Sequence, residues 1–278
     1  MTELSSTRTQ AAEGVSTHLA PAAIVLVVGG GLAILPDHGT AALLAGVAVT
    51  QAVLVVSWVF GTAMPGRLGG IVLGGLTAAG ADVAVSRFPG GQLGTLLAVA
   101  GLALPAMFVH QLTRGVVRTR VFESLSDIAL MLVCVLALSA FIQLRHETGG
   151  VAMSSAVLAA ITVALVVGHL VDLGWSMPRF DPAVPRGLVA VLVATAAAGA
   201  VGYLRLQGTV EFTSSRGALV GTAVGAAASL FAVGAAFIDQ ATAESPGRVA
   251  ALRPVFGAVI PLALSAPVAY LLCLAIRG

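Results

Sequence analysis

Lysine is absent from this sequence, and charge of either sign is scarce: fourteen arginines and twelve acidic residues make up 9% of 278 residues, for a formal net charge of +2. A soluble domain carries about a quarter charged residues. With 58% hydrophobic residues and a mean hydropathy of +1.02, the chain has no means of hiding its apolar surface in a water-facing core, and a soluble fold is excluded. The arginines are scattered and form no basic face or stripe, which removes a nucleic-acid footprint. Cysteine is nearly lacking too. Cys134 and Cys273 each lie inside an apolar run, where a thiol behaves as a small hydrophobe and not as half of a disulfide or a metal ligand. The lack of lysine beside abundant alanine, valine and glycine points to a high-GC coding bias of the actinobacterial kind.

What is present is a series of charge-poor runs. A bilayer core of about 30 Å needs about 20 apolar residues per helix, and the runs give an all-α polytopic transmembrane helical bundle of about nine spans. They are expected near residues 20–35, 41–60, 68–85, 93–109, 125–142, 151–171, 188–204, 218–238 and 254–276. Residues 1–17 are polar, carry Glu3, Arg8 and Glu13, and lack the basic start and cleavage site of a secretory leader. They read as a disordered cytoplasmic tail, with 18–278 as a single polytopic membrane domain.

Arginine placement sets the expected orientation, because basic residues are retained on the cytoplasmic side. With the N-terminus inside, the cytoplasmic set is Arg8, Arg67, Arg114, Arg118, Arg120, Arg179, Arg186, Arg248 and Arg253, nine residues; Arg87, Arg145, Arg205, Arg216 and Arg277, five residues, fall outside. The expected location is a bacterial inner (plasma) membrane, crossed several times with the N-terminus cytoplasmic. Glycine clusters such as Gly69-Gly70 with Gly74-Gly75, and the pair Gly221 and Gly225, read as sites of close helix packing. No fixed-period repeat is visible, which speaks against an inverted-repeat transporter.

Ionisable residues at membrane depth are functional candidates by default. Asp82 is the deepest acid; it either titrates or pairs inside the membrane, or reaches the interface near Arg87. His110 closes the fourth span ahead of Arg114, Arg118 and Arg120, a cluster suited either to anionic head groups or to topogenic anchoring. Ser124 reads as a helix N-cap with Asp127 at the capping-box position. His169 and Asp172, three residues apart, share a helical face, as a proton-handling or metal-binding pair or as a satisfied interfacial histidine.

Val171-Asp172-Leu173-Gly174-Trp175, then Asp181-Pro182-Ala183-Val184-Pro185-Arg186-Gly187, and Ala266-Pro267-Val268-Ala269-Tyr270-Leu271-Leu272 in the last span resemble segments of the phosphatidate cytidylyltransferases (CDP-diacylglycerol synthases). In that family a span ends in Ser-Asp-Thr-Gly-Ala-Tyr and a Pro- and Lys-rich cytoplasmic loop follows. The resemblance covers about residues 125–278, and its motifs are degenerate. The family's lysine, histidine and Asp-Arg elements before the final span are missing here; Gly257 and Ala258 stand where the Asp-Arg pair would be. Nucleotidyl transfer needs anionic ligands for divalent cations, and Asp239 with Glu244 would hold one ion weakly.

The resemblance therefore implies a synthase-like scaffold without transferase activity, which binds membrane lipids or a membrane-protein partner and needs no cofactor. Asp172, Arg179, Arg186, Asp239, Arg248 and Arg253 are its expected binding residues, and Asp82, His110 and His169 its intramembrane polar candidates. A small transporter or flippase using Asp82 and His110 is the alternative reading. A divergent active cytidylyltransferase using Mg2+ is another.

Overall fold

The computed structural model describes the backbone of residues 2–114, 120–182, 184–209, 211–243 and 247–277, with side chains from residue 17 onward. It is an all-α bundle, and among the described residues nine helical segments are long and apolar enough to cross a membrane. The chain is a multi-pass membrane protein. Its helices are α1 (Thr2–Ile34), α2 (Thr40–Gly61), α3 (Arg67–Arg87), α4 (Gly94–Thr113), α5 (Val121–Leu138), α6 (Ala140–His146), α7 (Gly150–Gly174), α8 (Leu188–Leu206), α9 (Ser214–Ala241) and α10 (Arg253–Ile276). Together α5 and α6 make one span. In lipid every backbone N–H and C=O must be satisfied within the segment, and the helix does this. Even α8, at 19 residues, covers roughly 30 Å at about 1.5 Å per residue.

All nine expected spans are found, with ends shifted by a few residues. The backbone of α1 runs helical through the segment read from composition as a tail; the side chains of residues 1–16 lie outside the described residues. Ser124 is not an N-cap. The helix begins a turn earlier, at Val121, and Ser124 is buried inside it, accepting from Gln111 Nε2 at 2.8 Å. Ion pairing of Arg120 with Glu123 neutralises part of the nearby basic cluster, while Arg118 lies outside the described residues.

Alternating spans sort the arginines to two ends. Arg67, Arg114, Arg120, Arg179, Arg186, Arg248 and Arg253 stand at the end where α1's apolar span starts, and Arg87, Arg145, Arg205, Arg216 and Arg277 at the other. The core sits around α7 and α10: α7 packs on α1, α8 and α9, and α10 ties that group to α2, α5 and α6. Trp58, Phe141, Tyr270, Met131 and Met153 are fully enclosed, with the Trp58 and Phe256 rings 5.2 Å apart. Cys134 and Cys273 are buried and free.

Lipid offers no hydrophobic drive between helices, so the α8–α9 seam relies on backbone approach through small residues. A Cβ added at Gly221 would lie 2.3 Å from the Ala198 carbonyl oxygen, and one at Gly202 2.3 Å from that of Gly217. Gly225 packs instead against a side chain, where an added Cβ would lie 2.3 Å from the Ala198 methyl. Gly221→Leu is expected to force the two helices apart and destabilise the protein by about 1–3 kcal/mol or more. Gly234→Ala on the same helix, where an added Cβ meets nothing within 4 Å, should leave stability unchanged or slightly raised; thermal unfolding in detergent compares the two.

Candidate functional site

Beyond α7 the chain folds back on itself. Arg179 and Gly187 form an antiparallel bridge, the Phe180 N–H donates to the Arg186 carbonyl at 3.2 Å, and the Leu188 N–H to the Pro178 carbonyl at 2.9 Å. This short hairpin turns Arg186 inward onto the last turns of α7. There Arg186 Nη1 donates to Asp172 Oδ2 (3.3 Å) and Nη2 to His169 Nε2 (2.8 Å), while the Gly187 N–H donates to Asp172 Oδ1 (2.8 Å). His169 Nε2 is thus an acceptor, and any proton on that ring sits at Nδ1. Burial holds the Arg186 guanidinium below its ordinary pKa, and the charge and hydrogen bond of Asp172 offset only part of that fall. His169 and Asp172 do share a face, and what joins them is an arginine from the following loop.

A second ion-pair group lies where α9 meets α10. Asp239 accepts a fork from Arg253, with Nε at 3.0 Å and Nη2 at 2.7 Å from Oδ2, and its Oδ1 pairs with Arg248. Arg248 Nη1 also donates to the Asp239 carbonyl at 3.1 Å. Both carboxylate oxygens are therefore held by guanidinium groups. Glu244, the other half of the weak ion site expected from sequence, lies outside the described residues.

Between the two groups is a cavity of about 510 Å³. It occupies the wedge between α1 and α9, with His169 of α7 and Gly257 of α10 at its inner side and the 175–187 hairpin along its rim. Arg179, Arg186 and Arg253 line it together with His18 and Asp239; Ala232, Ala235, Ala236 and Pro21 make its apolar wall. Arg179 donates Nε and Nη2 to Ser176 Oγ at 3.3 and 3.2 Å, and among the described residues no carboxylate lies within ion-pair distance of it. Counting the lining residues and their ion-pair partners, Arg179, Arg186, Arg248 and Arg253 oppose Asp172 and Asp239, an excess of two positive charges (4 − 2). Asp181, on the hairpin, is outside the lining.

Of the residues expected from sequence, Arg179, Arg186, Asp239, Arg253 and His169 meet at this cavity, while Asp172 and Arg248 stand behind it as counter-ions. Asp82 and His110 do not come together. His110 packs over Gly66 and Gly69, where a Cβ at Gly69 would lie 2.1 Å from the ring. Asp82 is thirteen residues further along α3, roughly 20 Å away at helical rise, and bonds Gln51 and Ser139 instead of reaching Arg87. Sequence reasoning missed His18, whose ring meets that of His169 edge-on at 5.8 Å; its only signal was a histidine just ahead of the first apolar run. Gln51, a lone amide within a charge-free span, was missed as well. Among the described residues no three His, Cys, Asp or Glu side chains converge in a way that would hold a metal ion.

No protein-family model, curated protein or solved structure matches this chain.

Asp172→Ala would strand the Arg186 charge, whose side chain is 8% exposed against 0% for Asp172; breaking such a pair costs about 3–5 kcal/mol. Replacing both partners with Asp172→Leu and Arg186→Met should restore most of that loss, and a double-mutant cycle read by thermal unfolding measures the coupling.

Proposed function

We propose that this protein binds the phosphate head group of an anionic membrane lipid in the wedge between α1 and α9. It would sit in a bacterial inner membrane with its arginine-rich end toward the cytoplasm, as the arginine bias between the two ends supports. The observation that carries the reading is Arg179, a guanidinium on the rim of a cavity with no carboxylate within ion-pair distance among the described residues. A planar guanidinium suits a phosphate, to which it donates two parallel hydrogen bonds. The alanine wall offers an apolar surface for the start of acyl chains, and the site borders the ends of the apolar spans, where head groups would be met.

The resemblance to the phosphatidate cytidylyltransferases fits this placement, since Asp172 and Arg186, from two of the three segments that carry it, pair beside the cavity. Binding without transfer is favoured by the carboxylates: Asp172 is committed to Arg186 and Gly187, and Asp239 to Arg248 and Arg253. Neither is left to hold the divalent cations that nucleotidyl transfer requires.

Native mass spectrometry of the full-length protein titrated with short-chain phosphatidate tests the proposal. Charge-assisted hydrogen bonds contribute about 1.5–3 kcal/mol, so Arg179→Ala should weaken phosphatidate binding about tenfold or more, while phosphatidylcholine binds neither form specifically. Equal phosphatidate affinity in wild type and Arg179→Ala would refute the site. Formation of CDP-diacylglycerol from phosphatidate and CTP would refute the non-catalytic reading.

A further inference from the structure

Away from the arginine cavity, the fifth span is interrupted. Sequence pattern predicts one helix there, but α5 ends at Leu138 and α6 starts at Ala140, with Ser139 in a turn between them. Breaks inside membrane helices are tolerated where the freed groups find protein partners or line a cavity. Here the break meets an acid: Ser139 Oγ donates to Asp82 Oδ1 at 2.6 Å, and Gln51 Nε2 reaches the same oxygen at 3.2 Å. The Gln51 amide also bonds the Val135 carbonyl and Ser139 Oγ, both at 3.0 Å. Three spans thus converge on one carboxyl that is 7% exposed.

Among the described residues no cation lies within ion-pair distance of Asp82. The neighbouring elements supply little charge. α2 carries no ionisable side chain, and the one on α4, His110, packs at the other end of α3. α5 places the buried thiol Cys134 next to Val135 and has Glu123 and Asp127 near its start; Arg145 and His146 end α6, with Arg145 bonded to the Pro36 carbonyl and Thr40. On α3 itself the nearest charge is Arg87, more than a turn further on. An ionised carboxylate without a counter-ion is expensive at membrane depth and is relieved by taking up a proton.

Two features connect this carboxyl to its surroundings. A cavity of about 280 Å³ between α2 and α3, walled by Ala52, Val56, Ile71 and Gly75, leads from the lipid-facing surface to Gln51 and Asp82. Towards the end opposite the arginine cavity runs a row of polar side chains. Gln143, one turn beyond Ser139 and fully buried, donates to the Pro89 carbonyl at 2.6 Å and interacts with Tyr270. The Tyr270 hydroxyl donates to Glu147 Oε1 at 2.8 Å, and Glu147 pairs with Arg277 at 3.4 Å. Gln51 Oε1 and Gln143 Oε1 are buried acceptors with no donor among the described residues, which is uncommon and calls for an explanation.

We infer that Asp82 is a proton-binding site within the membrane, loaded from the Glu147 end of the bundle along Gln143 and Ser139. One proton from bulk water adds to the carboxylate to give the neutral acid, and release returns it along the same row; no other bond is made or broken. With the proton bound, the hydrogen bonds from Ser139 and Gln51 lose their charge-assisted strength, so the joint between α2, α3 and the broken span depends on proton occupancy. This goes beyond head-group binding and uses none of its residues.

The test is labelling of the full-length protein in phospholipid nanodiscs with dicyclohexylcarbodiimide, an apolar reagent that modifies protonated carboxyls from the lipid side, mapped by peptide mass spectrometry. Labelling at Asp82 should be strong in acidic buffer and fall more than tenfold in alkaline buffer. Ser139→Ala, which removes a donor to the carboxylate, should carry labelling to higher pH. Gln143→Leu should slow the decay of the Asp82 carboxylic-acid C=O infrared band after a jump to alkaline buffer. Asp82→Asn should abolish both the label and a carboxylic-acid C=O infrared band; if that variant does not fold, the wild-type pH series decides alone. Absent labelling at Asp82, or labelling independent of pH, overturns the proton site, and an unchanged rate in Gln143→Leu overturns the route.

Discussion

A guanidinium enclosed at the end of a membrane bundle must bring its own counter-charge, and the Arg186–Asp172 pair meets that constraint. Asp172 is at the end of α7 and Arg186 on the hairpin that follows, so pairing them folds the hairpin back over the helix end. The same carboxylate takes the Gly187 N–H, which aligns the start of α8. Because α7 lies at the centre of the bundle, fixing this loop against it fixes the rim of the cavity. Removing one charge would leave the other desolvated, which is why the pair matters more than its modest length of contact suggests.

The polar groups of this protein are distributed unevenly along the membrane normal. At the arginine-rich end, guanidinium groups outnumber carboxylates and both ion-pair groups border one wedge. Towards the other end, the buried polar side chains are mostly neutral: Gln51, Ser139, Gln143 and Tyr270 surround or approach a single acid. On the proposed readings, one region would hold an anion and the other would exchange a proton. They are built from largely separate helices, joined through α10, which carries Arg253 at one end and Tyr270 towards the other.

The spans, their approximate ends and the two-ended sorting of arginine were legible because lipid imposes them through composition alone: an uninterrupted apolar run has few alternatives to a helix. Residues near one another in sequence were legible too; His169 and Asp172 share a face because helical geometry demands it. Partnerships across the bundle were not. Nothing local to Gln51 shows that it will meet Ser139, 88 residues later, and nothing in the apolar run around Ser139 marks a break. Nothing local to Asp239 shows that Arg248 and Arg253 will both fold onto it. Ser124 looked like a cap because its spacing to Asp127 fits one, yet tertiary contact with Gln111 and an earlier helix start overrode the local pattern.

The glycine seam between α8 and α9 carries a mechanical consequence. With main chains in direct contact, neither helix has side-chain slack through which to slide or tilt against the other, and the two behave as a stiff slab. The wedge that opens beside α9 is bounded on its far side by α1, whose Pro21 lies against Gly257 of α10. Any widening to admit a bulky guest would then fall to the first helix, swinging as a jaw about that proline against an unyielding plate.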